Sequence, residues 1–123
     1  MDAKLHEVWQ SERLTAFMFT VIYSFKVKPG KNSQFEKAWH DLTELIYEFE
    51  GSIGSRLHQL ENNRDYIAHA QWPSKEKWQN SGDYLPAISK EHSAAMHAAC
   101  VDIQTVYQMD VIVDLLQTKM KNS

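Results

Sequence analysis

One cysteine, Cys100, stands in 123 residues, so no internal disulfide can form and no thiolate zinc site can be assembled. Stability must then come from a packed core, which a chain of this length can supply without covalent or metal cross-links. A lone thiol suits a reduced, cytoplasmic compartment. Positive charge is also short: 13 Lys and Arg against 16 Asp and Glu leave a formal charge of -3. Without a basic cluster to neutralise phosphates, a nucleic-acid partner is excluded. No apolar run reaches bilayer length. The best candidate, Phe17 to Val27, is interrupted by Thr20, Ser24 and Lys26, and no signal-peptide pattern precedes it, so no membrane association is expected. GxGxxG, P-loop and GxSxG patterns are missing, which removes support for nucleotide cofactors and serine hydrolysis. The six histidines form no HExxH or HxH, and His92 and His97, five apart, fall on different helix faces. Neither a metal nor a cofactor is expected.

What is present is globular: 43% hydrophobic and 24% charged residues. Residues 1–15 show no period and read as an N-terminal extension. From Phe17 to Val27 the chain alternates as a strand with one apolar face, Phe17, Phe19, Val21, Tyr23, Phe25 and Val27. Lys28-Pro29-Gly30-Lys31 is a turn, and Ser33 with Glu36 reads as a capping box opening a helix. That helix buries Phe35, Ala38, Trp39, Leu42, Leu45, Ile46 and Phe49 and stops at Gly51. Ile53–Leu60 and Tyr66–Trp72 form a hairpin around residues 61–65. Pro73 ends its second strand and Ser74 caps a short helix carrying Trp78. A helix over residues 85–99 has His92 in the apolar stripe Leu85, Ile88, Ala95, Met96 and Ala99. A last strand runs by strict alternation from Val101 to Val113, and a polar tail occupies 117–123.

Strand, helix, strand, strand, helix, strand is an α+β, ferredoxin-like split β-α-β-β-α-β order with an antiparallel sheet, over residues 16–116. Helices cover one sheet face. The other mixes Thr20, Ile22, Ser24, His69, Gln104, Val106 and Gln108 with either Arg56 and His58 or Leu57 and Gln59. A half-polar face of this kind calls for a partner and a cavity.

The segments "VIYSFKVKPGKNSQFEKAW", "EGSIGSRLHQ", "YIAHAQWPSKEKW" and "SKEHSAAM", in this order and spacing, resemble the antibiotic biosynthesis monooxygenase domain family, a dimeric α+β barrel group. The resemblance spans about Thr20 to Val113. It implies a homodimer with facing sheets and a small pocket in each protomer between sheet and helices. It also implies a cofactor-independent monooxygenase that oxidises a small aromatic or hydroquinone-type substrate with O2. The alternatives are a non-catalytic dimer that binds a small ligand, and a haem-binding or haem-degrading branch. The haem branch has an asparagine where Tyr23 stands, a tryptophan matched by Trp78 and a histidine matched by His92. Tyr23 breaks that set.

His92 is the expected catalytic base: an imidazole in an apolar stripe is desolvated, which favours its neutral form, although a core histidine satisfied by one hydrogen bond has the same sequence signature. Trp78, Trp72, Tyr23, His69, His58 and Arg56 are the expected substrate-binding residues. The tryptophans offer stacking surface and N–H donors, and Arg56 can counter an oxyanion. Trp72 reads equally as packing. A slip of one residue in the hairpin would reverse His58 or His69.

Overall fold

The computed structural model describes residues 18–116; the extension expected over 1–15 and the tail expected over 117–123 lie outside the described residues. The elements are β1 (Phe19–Val27), α1 (Asn32–Glu50), β2 (Gly54–Gln59), β3 (Asp65–Trp72), α2 (Lys75–Gln79), α3 (Ser89–Ala98) and β4 (Cys100–Asp110). The strands form one sheet in the order β2-β3-β1-β4, every pair antiparallel. This is the ferredoxin-like α+β arrangement, with α2 as an added short helix.

Alternation makes the two central strands two-faced. Phe19, Val21, Phe25 and Val27 of β1 and Tyr66, Ala68, Ala70 and Trp72 of β3 are all buried on the helix side. They fall into two clusters. Phe25, Val27, Phe35, Ala38, Tyr66, Ala68, Met96, Ala99 and Cys100 make the larger, and Phe19, Val21, Ala70 and Trp72 the smaller. Tyr23 packs against both. Burial raises the Cys100 thiol above its ordinary pKa, with Lys28 pulling slightly the other way, so the lone cysteine is a core residue rather than a nucleophile.

Four local expectations are corrected. No capping box forms: α1 begins at Asn32, its N-cap Lys31 makes no side-chain cap bond, and Ser33 already lies in the first turn. The Asn32 side chain reaches away from the helix instead, donating to Asn63 O at 2.6 Å and to the Tyr66 hydroxyl at 2.9 Å. At the other end of α1, Phe49 is exposed and Glu50 is buried. A carboxylate at a helix C-terminus opposes the macrodipole; here Glu50 Oε1 accepts the Tyr84 backbone N–H at 2.8 Å. Gly51 does end α1 in the left-handed conformation, at φ 75°.

Helix α3 begins at Ser89, not at Leu85. Pro86 disfavours helical backbone at the residue before it, and the chain enters through i to i+3 bonds such as Ser89 N to Pro86 O at 3.0 Å, leaving Ile88 exposed. Ser74 does cap α2, accepting from Lys77 N at 3.1 Å.

The fourth correction concerns β4, which ends at Asp110 and does not alternate strictly. Its pairing with β1 shifts register twice, so that Thr105 opposes Tyr23 but Tyr107 opposes Ile22, and Asp102 opposes Lys26 but Cys100 opposes Val27. A β-bulge inserts an unpaired residue and reverses the parity beyond it. Tyr107 and Met109 therefore share the open face with Ile22 and Thr20, while Gln108 turns to the helix side. Tyr107 is 60% exposed there.

Candidate active site

The hairpin register decides which predicted residues meet. Arg56 opposes His69 and His58 opposes Ile67, whereas Leu57 opposes Ala68 and Ser55 opposes Ala70. Ala68 and Ala70 are buried under the helices. Arg56, His58 and His69 therefore point to the open face, away from Tyr23, Trp72 and Trp78. The seven expected site residues are split by the sheet itself.

Beneath the helices, where the two core clusters meet, lies a cavity of about 280 Å³. Its lining includes Tyr23, Trp39, Ile46, Trp72, Met96 and His97. The floor is open because two small side chains, Ser55 and Ala70, face each other across the β2–β3 pair. The Ser55 hydroxyl is turned to the His69 carbonyl at 3.0 Å, and Ser52 caps the β2 entry by accepting from Gly54 N at 2.9 Å. Both hydroxyls are thus engaged with backbone, and the remaining wall is largely apolar and aromatic, as small-molecule sites usually are.

Three polar groups remain to meet a ligand. Tyr23 accepts the Trp78 indole N–H at 2.7 Å, which leaves its own O–H free to donate. Burial raises the Tyr23 pKa above its ordinary value, and the Trp78 contact works in the opposite direction. The indole of Trp78 is held in turn by its ring contact with Phe19, 5.8 Å between centroids. The second group is Trp72 Nε1, a fully buried donor without a hydrogen-bond partner among the described residues. Native structures rarely leave such a group unpaired. The third is His97, an exposed residue that contributes to the lining, whose Nδ1 lies 2.8 Å from the Ser93 carbonyl. A carbonyl only accepts, so Nδ1 carries the hydrogen and Nε2 holds the free lone pair of the neutral ring.

His92 sits elsewhere on α3. It is half-buried, is not among the lining residues and lies near enough to Asp41 of α1 to add the smallest of the contributions that hold that carboxyl low, after Lys37 and His40. Sequence reasoning missed His97, and it missed the floor. The signal for the floor was the pair of small residues, Ser55 and Ala70, at core-facing strand positions; their size is informative only once the register is known.

Trp78→Phe supplies a spectroscopic check. Removing the donor that lowers the Tyr23 pKa should push it higher still, so the phenolate absorbance at alkaline pH should appear later than in the wild type. The sign for stability follows: a phenol whose folded pKa is raised stabilises fully below about pH 10 and progressively less as pH climbs through the folded value. An unchanged phenolate titration in the variant would contradict the contact.

The sequence profile of the antibiotic biosynthesis monooxygenase family matches residues 18–99, and the chain belongs to that family. No curated protein matches it at a significant level. Among solved structures, it is similar to the N63A mutant of SnoaB, a cofactor-independent oxygenase from Streptomyces nogalater. Identity there is 16%, covering 83% of this chain and 100% of that one, with a TM-score of 0.68. A Bordetella bronchiseptica protein provisionally assigned to the same family is 19% identical over 78% of this chain and 98% of its own, TM-score 0.64. A conserved Methanosarcina mazei protein is 19% identical over 80% and 96%, TM-score 0.63. At these identities the likeness establishes the fold. No helix among the described residues is long and apolar enough to cross a membrane.

Proposed function

We propose that this protein is a cofactor-independent monooxygenase that oxidises a small phenol or hydroquinone with O2, and that it works as a homodimer. The observation that carries the reading is the largely apolar cavity whose lining includes Tyr23, Trp72 and the exposed His97, with the Trp72 indole N–H buried in its wall without a partner among the described residues. Two donors and one base are what a phenol losing its proton needs: Nε2 of His97 takes the proton, and the oxyanion is held by Trp72 and Tyr23. The electron-rich anion then supplies the electrons to O2. For a phenol that gains one oxygen, the products are a quinone and water. An apolar cavity of about 150 Å³ holds a benzene ring, so about 280 Å³ suits one or two fused rings.

The expected base thus moves from His92 to His97, about 1.4 helical turns along α3 and on a different face. Arg56, His58 and His69 leave the substrate site for the other side of the sheet. Haem fits poorly: at about 280 Å³ the cavity falls below the ordinary range of about 300–1,000 Å³ for ligand pockets, and Tyr23 stands where the haem branch has its asparagine. The homodimer implied by family membership is supported by the apolar half of the open face, where Ile22, Tyr107 and Met109 come together across β1 and β4.

Oxygen consumption with a panel of hydroquinones and naphthols tests the reading. Turnover above the uncatalysed rate is expected, falling at least about a hundredfold in His97→Ala, the ordinary contribution of a general base. If His92→Ala abolishes uptake and His97→Ala does not, the base is His92. Ligand-induced thermal stabilisation without oxygen uptake would instead mark a non-catalytic binding protein.

A further inference from the structure

We propose that Ser55 is a specificity-determining residue that sets substrate length. Because this position is a serine, the cavity continues past β2 and admits a phenol extended along its own axis, by a group opposite the hydroxyl. The inference rests on the phenol-binding reading above and adds which phenols fit.

Two rungs of the β2–β3 pair make the case. Leu57 opposes Ala68 and Ser55 opposes Ala70, all four on the helix side of the sheet. At the first rung the alanine is buried and the leucine packs against the larger core cluster, so the space above the small residue is filled. At the second the alanine meets another small side chain, whose hydroxyl turns back to the His69 carbonyl at 3.0 Å, and the space above is cavity. One leucine separates a solid rung from a hollow one.

The cavity also has a direction. In the sheet order β2-β3-β1, Tyr23 stands on β1 and Ser55 two strands over on β2, about 9–10 Å across the sheet. The helices follow the same order: α3, which carries His97, packs on β4, and α1 packs on β2. A phenol with its oxygen at Tyr23 and Trp72 thus points its far carbon toward Ser55.

There the wall is shared. Trp39, Thr43 and Ser55 line both the cavity and an outer groove of about 510 Å³ between α1 and β2. Gly54 keeps the groove open: its φ of 119° is a conformation that favours glycine, and a β-carbon there would stand 3.9 Å from the Tyr47 ring. Tyr47 itself is 59% exposed and gives the groove an aromatic wall. Two rings in line need twice the roughly 150 Å³ that holds one benzene, slightly more than the cavity's 280 Å³. The second ring therefore crosses the threshold between Ser55 and Thr43. The groove flanks α1, whereas the two-fold contact proposed above uses the opposite face of the sheet.

Equilibrium binding under nitrogen tests this apart from turnover. Titration calorimetry with the whole chain compares phenol, 4-phenylphenol and 2-phenylphenol; the last two have the same atoms, and only the 4-isomer extends along the hydroxyl axis. The wild type should bind 4-phenylphenol at least about tenfold more tightly than 2-phenylphenol, the discrimination an apolar pocket achieves for a small steric difference. Ser55→Leu should cancel that preference while leaving the affinity for phenol itself within about twofold. Thr43→Leu narrows the same threshold from the α1 side with a better helix former, so it reads the effect independently of any disturbance to β2. An isomer preference missing from the wild type, one that survives in both variants, or an equal fractional loss for all three ligands overturns the role of Ser55 and leaves the phenol site standing. Failure of every phenol to bind the wild type overturns both.

Discussion

Phe35→Ala is expected to destabilise the protein by about 3–5 kcal/mol, the ordinary cost of emptying an aromatic site in a packed core. Phe35 is 0% exposed, and its ring lies 4.9 Å from that of Phe25 and 4.7 Å from that of Tyr66. Each aromatic contact adds about 0.5–1.5 kcal/mol beyond the area it buries. The loss also spreads. The Tyr66 hydroxyl donates to Glu36 Oε2 at 2.6 Å and accepts from Asn32 at 2.9 Å and from Gln59 at 3.1 Å, so one ring joins α1 to the β2–β3 hairpin. A domain of this size has about 5–15 kcal/mol in total. Urea unfolding at constant m-value measures the change; a loss below about 1.5 kcal/mol would mean that the site collapses around the smaller side chain.

The second large effect concerns Trp72→Phe, and it should separate binding from folding. The unpaired indole N–H costs the free protein roughly 1–3 kcal/mol as an unsatisfied buried donor. Phenylalanine removes that penalty while leaving a small void, so the two changes partly offset and unfolding should move little. A ligand oxygen that accepts from Trp72 recovers the same 1–3 kcal/mol, which the variant forfeits. The expected result is a ten- to hundredfold loss of kcat/KM toward phenols with a near-unchanged unfolding midpoint. Equal kcat/KM in the two proteins would show that the N–H does not touch the substrate.

Periodicity made the element order, the α1 stripe and the capped α2 legible from residues alone, because each rests on contacts within a few residues. The helix boundaries were less so. Ser33 and Glu36 satisfy the capping-box pattern, yet the preceding Asn32 turns its side chain to the β2–β3 loop and the helix starts there. The site was legible in its parts but not in its assembly. Tyr23 and Trp72 line the cavity as the strand faces imply, and Trp78, on α2, is not in the lining but bonds to Tyr23, whereas Arg56, His58 and His69 were separated from them by a register that only the paired hairpin determines. His92 looked desolvated because the stripe was drawn through Leu85 and Ile88; Pro86 disfavours helix at Leu85, and Ile88 is only the N-cap of α3 and is exposed.

The double register shift in β4 bears on how this chain can be compared with others. β4 has eleven residues and β1 has nine, and the two surplus positions, Val101 and Val106, face no partner across the pair. Removing either would leave every remaining rung in place, whereas removing any paired residue would displace all those beyond it. Single-residue length differences between relatives should accordingly be accommodated at these two valines. The family profile stops at residue 99, one short of this strand. An alignment carried further, to a relative whose strand lacks either irregularity, needs a gap at the corresponding valine; without it, everything past that point is credited to the wrong side of the sheet.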